Sequence, residues 1–304
     1  MNPIRHAFVA AAAATLSFLV QPAQAALRVF ACEPEWGALA QELGGSLVDV
    51  SVATSALQDP HQIQAKPSLI ARARNADLVV CTGAELEIGW LPLVLQQAGN
   101  PKLRPGQPGS FEAASFVALR DKPTRLDRAE GDVHPAGDPH IQTDPRNIAR
   151  VATALAARLA EVDPANADGY RARYQAFDAR WRAAIARWEQ QAAPLKGVPI
   201  VVQHKAFTYL IAWLGLREVA TLEPKPGVEP TTASLSEVLA LLQRDPAKMV
   251  LRAAYQGDRA SQWIAERAKV VPVVLPFTVG GDDRATDLYG LFDDTIARLQ
   301  KGAQ

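Results

Sequence analysis

The sequence predicts an α/β protein of two similar halves, each with a parallel sheet, joined by one long rigid helix. Three observations lead there. Short apolar runs alternate with helical patterns over residues 27–98, the pattern of strands crossed over by helices. The same alternation restarts at Val198 and continues to the end of the chain. Between the two lies a stretch in which Tyr170, Tyr174, Phe177, Trp181, Ile185 and Trp188 follow one another at intervals of three or four, so one helix face carries them all. At ~1.5 Å per residue a helix over 165–192 is about 40 Å long. That exceeds the need of one small domain and suits a strut between two lobes.

The chain opens with a charged residue, Arg5, then an uncharged apolar stretch from Ala7 to Val20 and the cleavage-like Gln21-Pro22-Ala23-Gln24-Ala25. This reads as a signal peptide over residues 1–25, too short in its apolar part to span a bilayer, and it predicts export to the periplasm. The first lobe is expected over 26–163. Its strands are Leu27–Cys32, Leu47–Val52 and Ala76–Cys81. Its helices follow Trp36, Leu39 and Leu43, then Pro67–Asn75, then Glu87–Ala98 up to the stop at Gly99-Asn100-Pro101. A loop rich in glycine, proline and charge runs over 120–145, and an alanine-rich amphipathic helix over 147–162.

The linking helix is expected over 164–193 and the second lobe over 194–304. Strands there are Val198–Gln203, Glu218–Leu222, Met249–Arg252 and Val270–Leu275. Helices are Phe207–Leu214, a segment within 230–244 starting near Thr232 or Ser234, Gln256–Lys269, and a last one ending near Leu299 after the loop Gly280-Gly281-Asp282-Asp283.

The full chain balances 32 basic against 32 acidic side chains, and removing the leader takes away only Arg5. Near-neutral charge gives no call for a nucleic-acid partner or an anionic membrane surface. No later segment is apolar enough to insert in a membrane, and a monomer is expected. Two cysteines, Cys32 and Cys81, close two apolar runs that would lie side by side at one sheet edge. An exported protein can join them in a disulfide; the alternative is two buried thiols packing as small hydrophobes.

Beyond the leader there are four histidines, His61, His134, His140 and His204. His61 and His140 each follow an Asp-Pro pair, and His204 directly follows a strand. Loops at strand carboxyl ends line the crevice of open α/β sheets, so two facing lobes can bring these imidazoles together. Neutral imidazole suits zinc, which favours four ligands. The expected fourth is a carboxylate from the last loop, Asp282 or Asp283, with Asp287 as the alternative. His134 reads as an exposed loop residue or an accessory metal collector.

Four ordered motifs resemble the zinc/manganese class (cluster A-I) of ABC-transporter solute-binding proteins. They are Asp59-Pro60-His61 with Pro67-Ser68; Ala76-Asp77-Leu78-Val79-Val80 with Gly83-x-Glu85-Leu86-Glu87-x-x-Trp90-Leu91; Gly137 to Asn147; and Val201 to Tyr209. The resemblance implies two Rossmann-like lobes bridged by one long helix, with metal in the cleft between them and His61, His140 and His204 as ligands. It also implies delivery to the membrane permease of an ABC transporter, with a periplasmic metallochaperone as a candidate loading partner. Manganese members tend to carry Glu where this chain has His204, so imidazole there points to Zn2+ rather than Mn2+. The long histidine-rich insertion of many zinc members is missing before His140.

Two other classes compete. A secreted zinc hydrolase needs an open position for water, which four protein ligands would fill, and no H-E-x-x-H or G-x-S-x-G is present. A binder of organic chelates would favour aromatic and arginine linings over converging histidines. The expectation is therefore a capture protein and not an enzyme.

Overall fold

In a computed structural model the described residues are 25–123, 131 and 133–304. The leader up to Gln24 and Asp132 of the loop before His140 lie outside them. The first sheet contains β1 (Leu27–Ala31), β2 (Val48–Val52), β3 (Leu78–Cys81) and β4 (Ser110–Glu112), in the order β2-β1-β3-β4. The second contains β5 (Pro199–Val202), β6 (Arg217–Thr221), β7 (Met249–Ala253) and β8 (Val271–Leu275), in the order β6-β5-β7-β8. Every pairing is parallel, and the two orders are equivalent, so the halves repeat one topology. Parallel strands need crossovers, and α1 (Pro34–Gly44), α2 (Pro67–Asn75) and α3 (Leu91–Ala98) accompany the first sheet. In the second half α6 (Thr208–Leu214), α7 (Thr232–Leu242), α8 (Arg259–Ala268) and α9 (Leu288–Ala303) do the same.

Between the sheets come α4 (Pro145–Val162) and α5 (Ala167–Ala192). The strut is a packed pair rather than a lone rod, since α4 lies along α5 after a short turn. Its aromatic face is buried as the periodicity requires: Tyr170, Phe177, Trp181 and Trp188 are all within the core. On one side α5 packs on α1; on the other Trp188 meets Phe292 of α9 with ring centroids 5.0 Å apart. One apolar core thus runs from the first sheet through α4 and α5 into the second. That continuity fixes the spacing of the two sheets' carboxyl edges.

Two local features differ from the sequence expectation. β4 has only Phe111 buried among its three residues, too little alternation to be read as a strand. The third helix starts at Leu91 rather than Glu87, because Glu87 turns its carboxylate back onto the N–H groups of Thr82 and Gly83, while Ala84 and Glu85 take positive φ of 50° and 67°. Cys32 and Cys81 are joined in a disulfide, with Cα atoms 4.8 Å apart at the ends of neighbouring strands β1 and β3. No described helix is long and apolar enough to cross a membrane.

Candidate metal centre

Three histidines predicted as ligands converge between the sheets. Ring centroids are 5.5 Å apart for His61 and His140, 5.7 Å for His140 and His204, and 6.1 Å for His61 and His204. His61 comes from the loop after β2, His204 from the residues directly after β5, and His140 from the approach to α4. The fourth histidine joins them: His134 lies 5.3 Å from His61, centroid to centroid, with the two Nε2 atoms 3.3 Å apart. Two nitrogens bound to one tetrahedral zinc at ~2.0–2.1 Å would stand about 3.3–3.4 Å apart. His134 is therefore part of the cluster and not an exposed loop residue.

Each of the three rings is aimed by a carboxylate. His61 Nδ1 donates to Asp59 Oδ1 at 2.7 Å, His140 Nδ1 to Asp138 Oδ1 at 2.7 Å, and His204 Nδ1 to Glu223 Oε2 at 2.7 Å. Because a carboxylate only accepts, each Nδ1 carries the proton and each Nε2 keeps a free lone pair. Both Asp-Pro-His sequences build the same turn, for Asp59 also accepts the His61 N–H and Asp138 the His140 N–H. Aspartate two residues before each histidine was the available signal for these partners. Glu223 carried no such signal, since it reaches His204 from the end of β6 across the sheet. Tyr209 of α6 fixes the second turn by donating to the Asp138 carbonyl at 2.6 Å.

The electrostatics follow from burial and pairing. Burial pushes the His140 imidazolium down, outweighing Asp138, so the ring is neutral. Burial also lowers His134, to about 3, reinforced by His140 and His61. For His204 burial acts downward too, but the Glu223 bond overrides it and leaves the imidazole above its ordinary value. Burial would raise Asp59 and Asp138, yet their histidine partners hold both carboxyls below the usual range. The His140 Nε2 atom is buried without a partner. A buried polar atom left so costs ~1–3 kcal/mol unless something meets it, and a lone pair among imidazoles can be met by a cation.

The acidic residues expected from the last loop are placed elsewhere. Asp282 pairs with Arg298, and with Asp283 it lines a separate depression beside β8 and α9. Asp287 caps α9 by accepting the Gly290 N–H. The same loop instead sends Phe277 to the cluster, 5.7 Å from His140. A cleft of about 440 Å³ opens onto His134, His140 and His204. A larger cavity of about 760 Å³ beside β3 and α3 has mostly apolar walls and no histidine. The Cys32 and Cys81 sulfurs lie close to the Glu87 carboxylate, but a disulfide has no thiolate to offer a metal.

Residues 29–302 match the family model described as the zinc-uptake complex component A, periplasmic. The chain belongs to that family. That family is one of solute-binding proteins and not of enzymes. The chain is 23% identical over 236 residues to the zinc-binding lipoprotein AdcA of Streptococcus pneumoniae, a match covering 74% of this chain and 44% of that relative. The chain thus spans less than half the length of that relative. It is 23% identical to the high-affinity zinc uptake system protein ZnuA of Bacillus subtilis, over 72% of this chain and 66% of the relative. The iron-binding protein YfeA of Yersinia pestis is 22% identical, over 87% and 82%. A crystal structure of ZnuA superposes with a TM-score of 0.73 at 24% identity, covering 90% of this chain and 99% of the other.

Proposed function

We propose that this chain captures zinc in the exported compartment, the periplasm, and passes it to an ABC importer. His61, His140 and His204 are the ligands, and His134 takes the fourth corner in the arrangement described. The observation that carries the reading is the convergence of these imidazoles with every Nδ1 of the three turned to a carboxylate, which leaves each Nε2 lone pair available to a metal. Four nitrogen donors suit zinc better than manganese, which favours oxygen. Asp59, Asp138 and Glu223 supply negative charge one bond behind the ligands, so a dication is balanced without a carboxylate touching it. Relatives of similar identity include an iron-binding protein, so the choice of metal rests on this donor set.

Asp282 or Asp283 can become a ligand only by leaving the Arg298 side of its loop, and we assign that loop the part of a gate for release. The units that carry this function are the lobe over 26–163, the linker over 164–193 and the lobe over 194–304. The decisive experiment is metal stoichiometry and competition on purified metal-free protein. One zinc per chain, bound more tightly than manganese or iron(II), is expected; tighter binding of either competitor would overturn the zinc assignment.

A further inference from the structure

Glu35 lies in the first turn of α1, in the half that holds the first sheet, yet its partner belongs to the other half. Its Oε2 accepts a hydrogen bond of 2.5 Å from the Thr278 hydroxyl, and both side chains are buried. Thr278 is near the root of the 276–287 loop between β8 and α9. The loop is folded on itself, with the Gly281 N–H bonded to the Thr278 carbonyl and the Gly280 N–H to the Ala285 carbonyl. Among the described residues, the Glu35 bond is the hydrogen bond that ties this loop to the first half.

The residue before Thr278 is held in a costly conformation. Phe277 has φ of +68°, where a bulky side chain is rarely found. That turn directs its ring against Phe207 and Tyr255 and onto His140, at 5.9, 5.4 and 5.7 Å between centroids. Such a conformation persists only where surrounding contacts over-determine it, and a buried hydrogen bond on the adjacent residue is such a contact.

We propose that Glu35 is a positioning residue for the metal site: by gripping Thr278 across the cleft it keeps the 276–287 loop closed and Phe277 over His140. The inference rests on reading the histidines as the metal site. Opening the loop then requires breaking a buried hydrogen bond to a carboxyl group. Glu35 touches no ligand; it acts through Thr278 and Phe277. Glu35, its neighbour Glu33 and Thr278 are all buried, so the bond is shielded from solvent.

The test compares wild type with Thr278→Val, Thr278→Ser, Glu35→Met and the Thr278→Val/Glu35→Met pair. Amide hydrogen exchange over 276–287 is read in metal-free protein, and zinc release is read by stopped flow into excess chelator. Thr278→Val should raise loop exchange and speed release about tenfold or more, with the association rate unchanged. Thr278→Ser, which keeps the hydroxyl, should restore both. The double variant should release no faster than the faster single, since both remove one bond. Should Thr278→Val fail to fold, Glu35→Met carries the same comparison. Wild-type exchange and release in the folded variant, or no rescue by serine, would overturn the proposal. Because exchange is measured without metal, a wild type that binds no zinc would defeat the metal reading and leave the loop result standing.

Discussion

Replacing Asp138 by Asn tests how much the carboxylates behind the histidines contribute. Asn keeps the size and can still accept the Nδ1 proton through its amide oxygen, so the change is mainly one of charge. Partners of metal-bound histidines are worth ~10–100-fold in affinity. Where each falls in that range depends on solvent screening. The Asp138 side chain is 6% exposed, Glu223 14% and Asp59 39%. Asp138→Asn should therefore cost about 100-fold, or ~2.7 kcal/mol at 1.36 kcal/mol per decade. Glu223→Gln should cost less and Asp59→Asn about tenfold or under. Chelator competition at fixed ionic strength gives the three affinities, and added salt should narrow the loss for Asp59→Asn only. If Asp59→Asn costs as much as Asp138→Asn, burial does not set the strength of these bonds and the reasoning fails.

Zinc affinity should fall as pH drops from 8 toward 6, starting with His204, whose imidazole the Glu223 bond raises; Glu223→Gln should move the onset to lower pH, measured by the same competition across pH. Burial raises Glu35 from 4.5 to about 7, so the folded state holds its proton more firmly than the unfolded chain. That stabilisation is full below pH ~4.5 and is lost as pH rises through ~7. Glu35→Gln should flatten the decline in stability between pH 5 and 8, by about 3 kcal/mol at most, in denaturant melts; parallel profiles would contradict it. Reducing the Cys32–Cys81 bridge, which spans 49 residues, should cost about 4 kcal/mol on the chain-entropy account, read by denaturation with and without a phosphine reductant. Asp282→Ala, Asp283→Ala and Asp287→Ala compared by stopped-flow release show whether the last loop gates the metal; no change in any of the three would remove its gating role.

Most of the architecture is decided locally, which is why the sequence alone determined it. Apolar runs such as Leu78–Cys81 and Pro199–Val202 are buried on both faces, and a parallel strand needs no distant partner to declare itself. The aromatic period of α5 declares its buried face in the same way. The convergence of His61, His140 and His204 was legible because turn chemistry and strand ends mark them. His134 and Glu223 were not: nothing around either one in the chain says what it will touch. Their roles arise when the α4–α5 pair sets two sheets at a fixed distance and the loops of one meet the loops of the other. The Asp282 and Asp283 pair shows the reverse. Two glycines suggest a loop free to reach the cleft, but Arg298, sixteen residues beyond Asp282, draws that carboxylate away, and the loop presents Phe277 instead. Partners far apart in the chain and charges on a neighbouring helix are settled only by tertiary packing, because only packing decides which buried polar atoms must find each other.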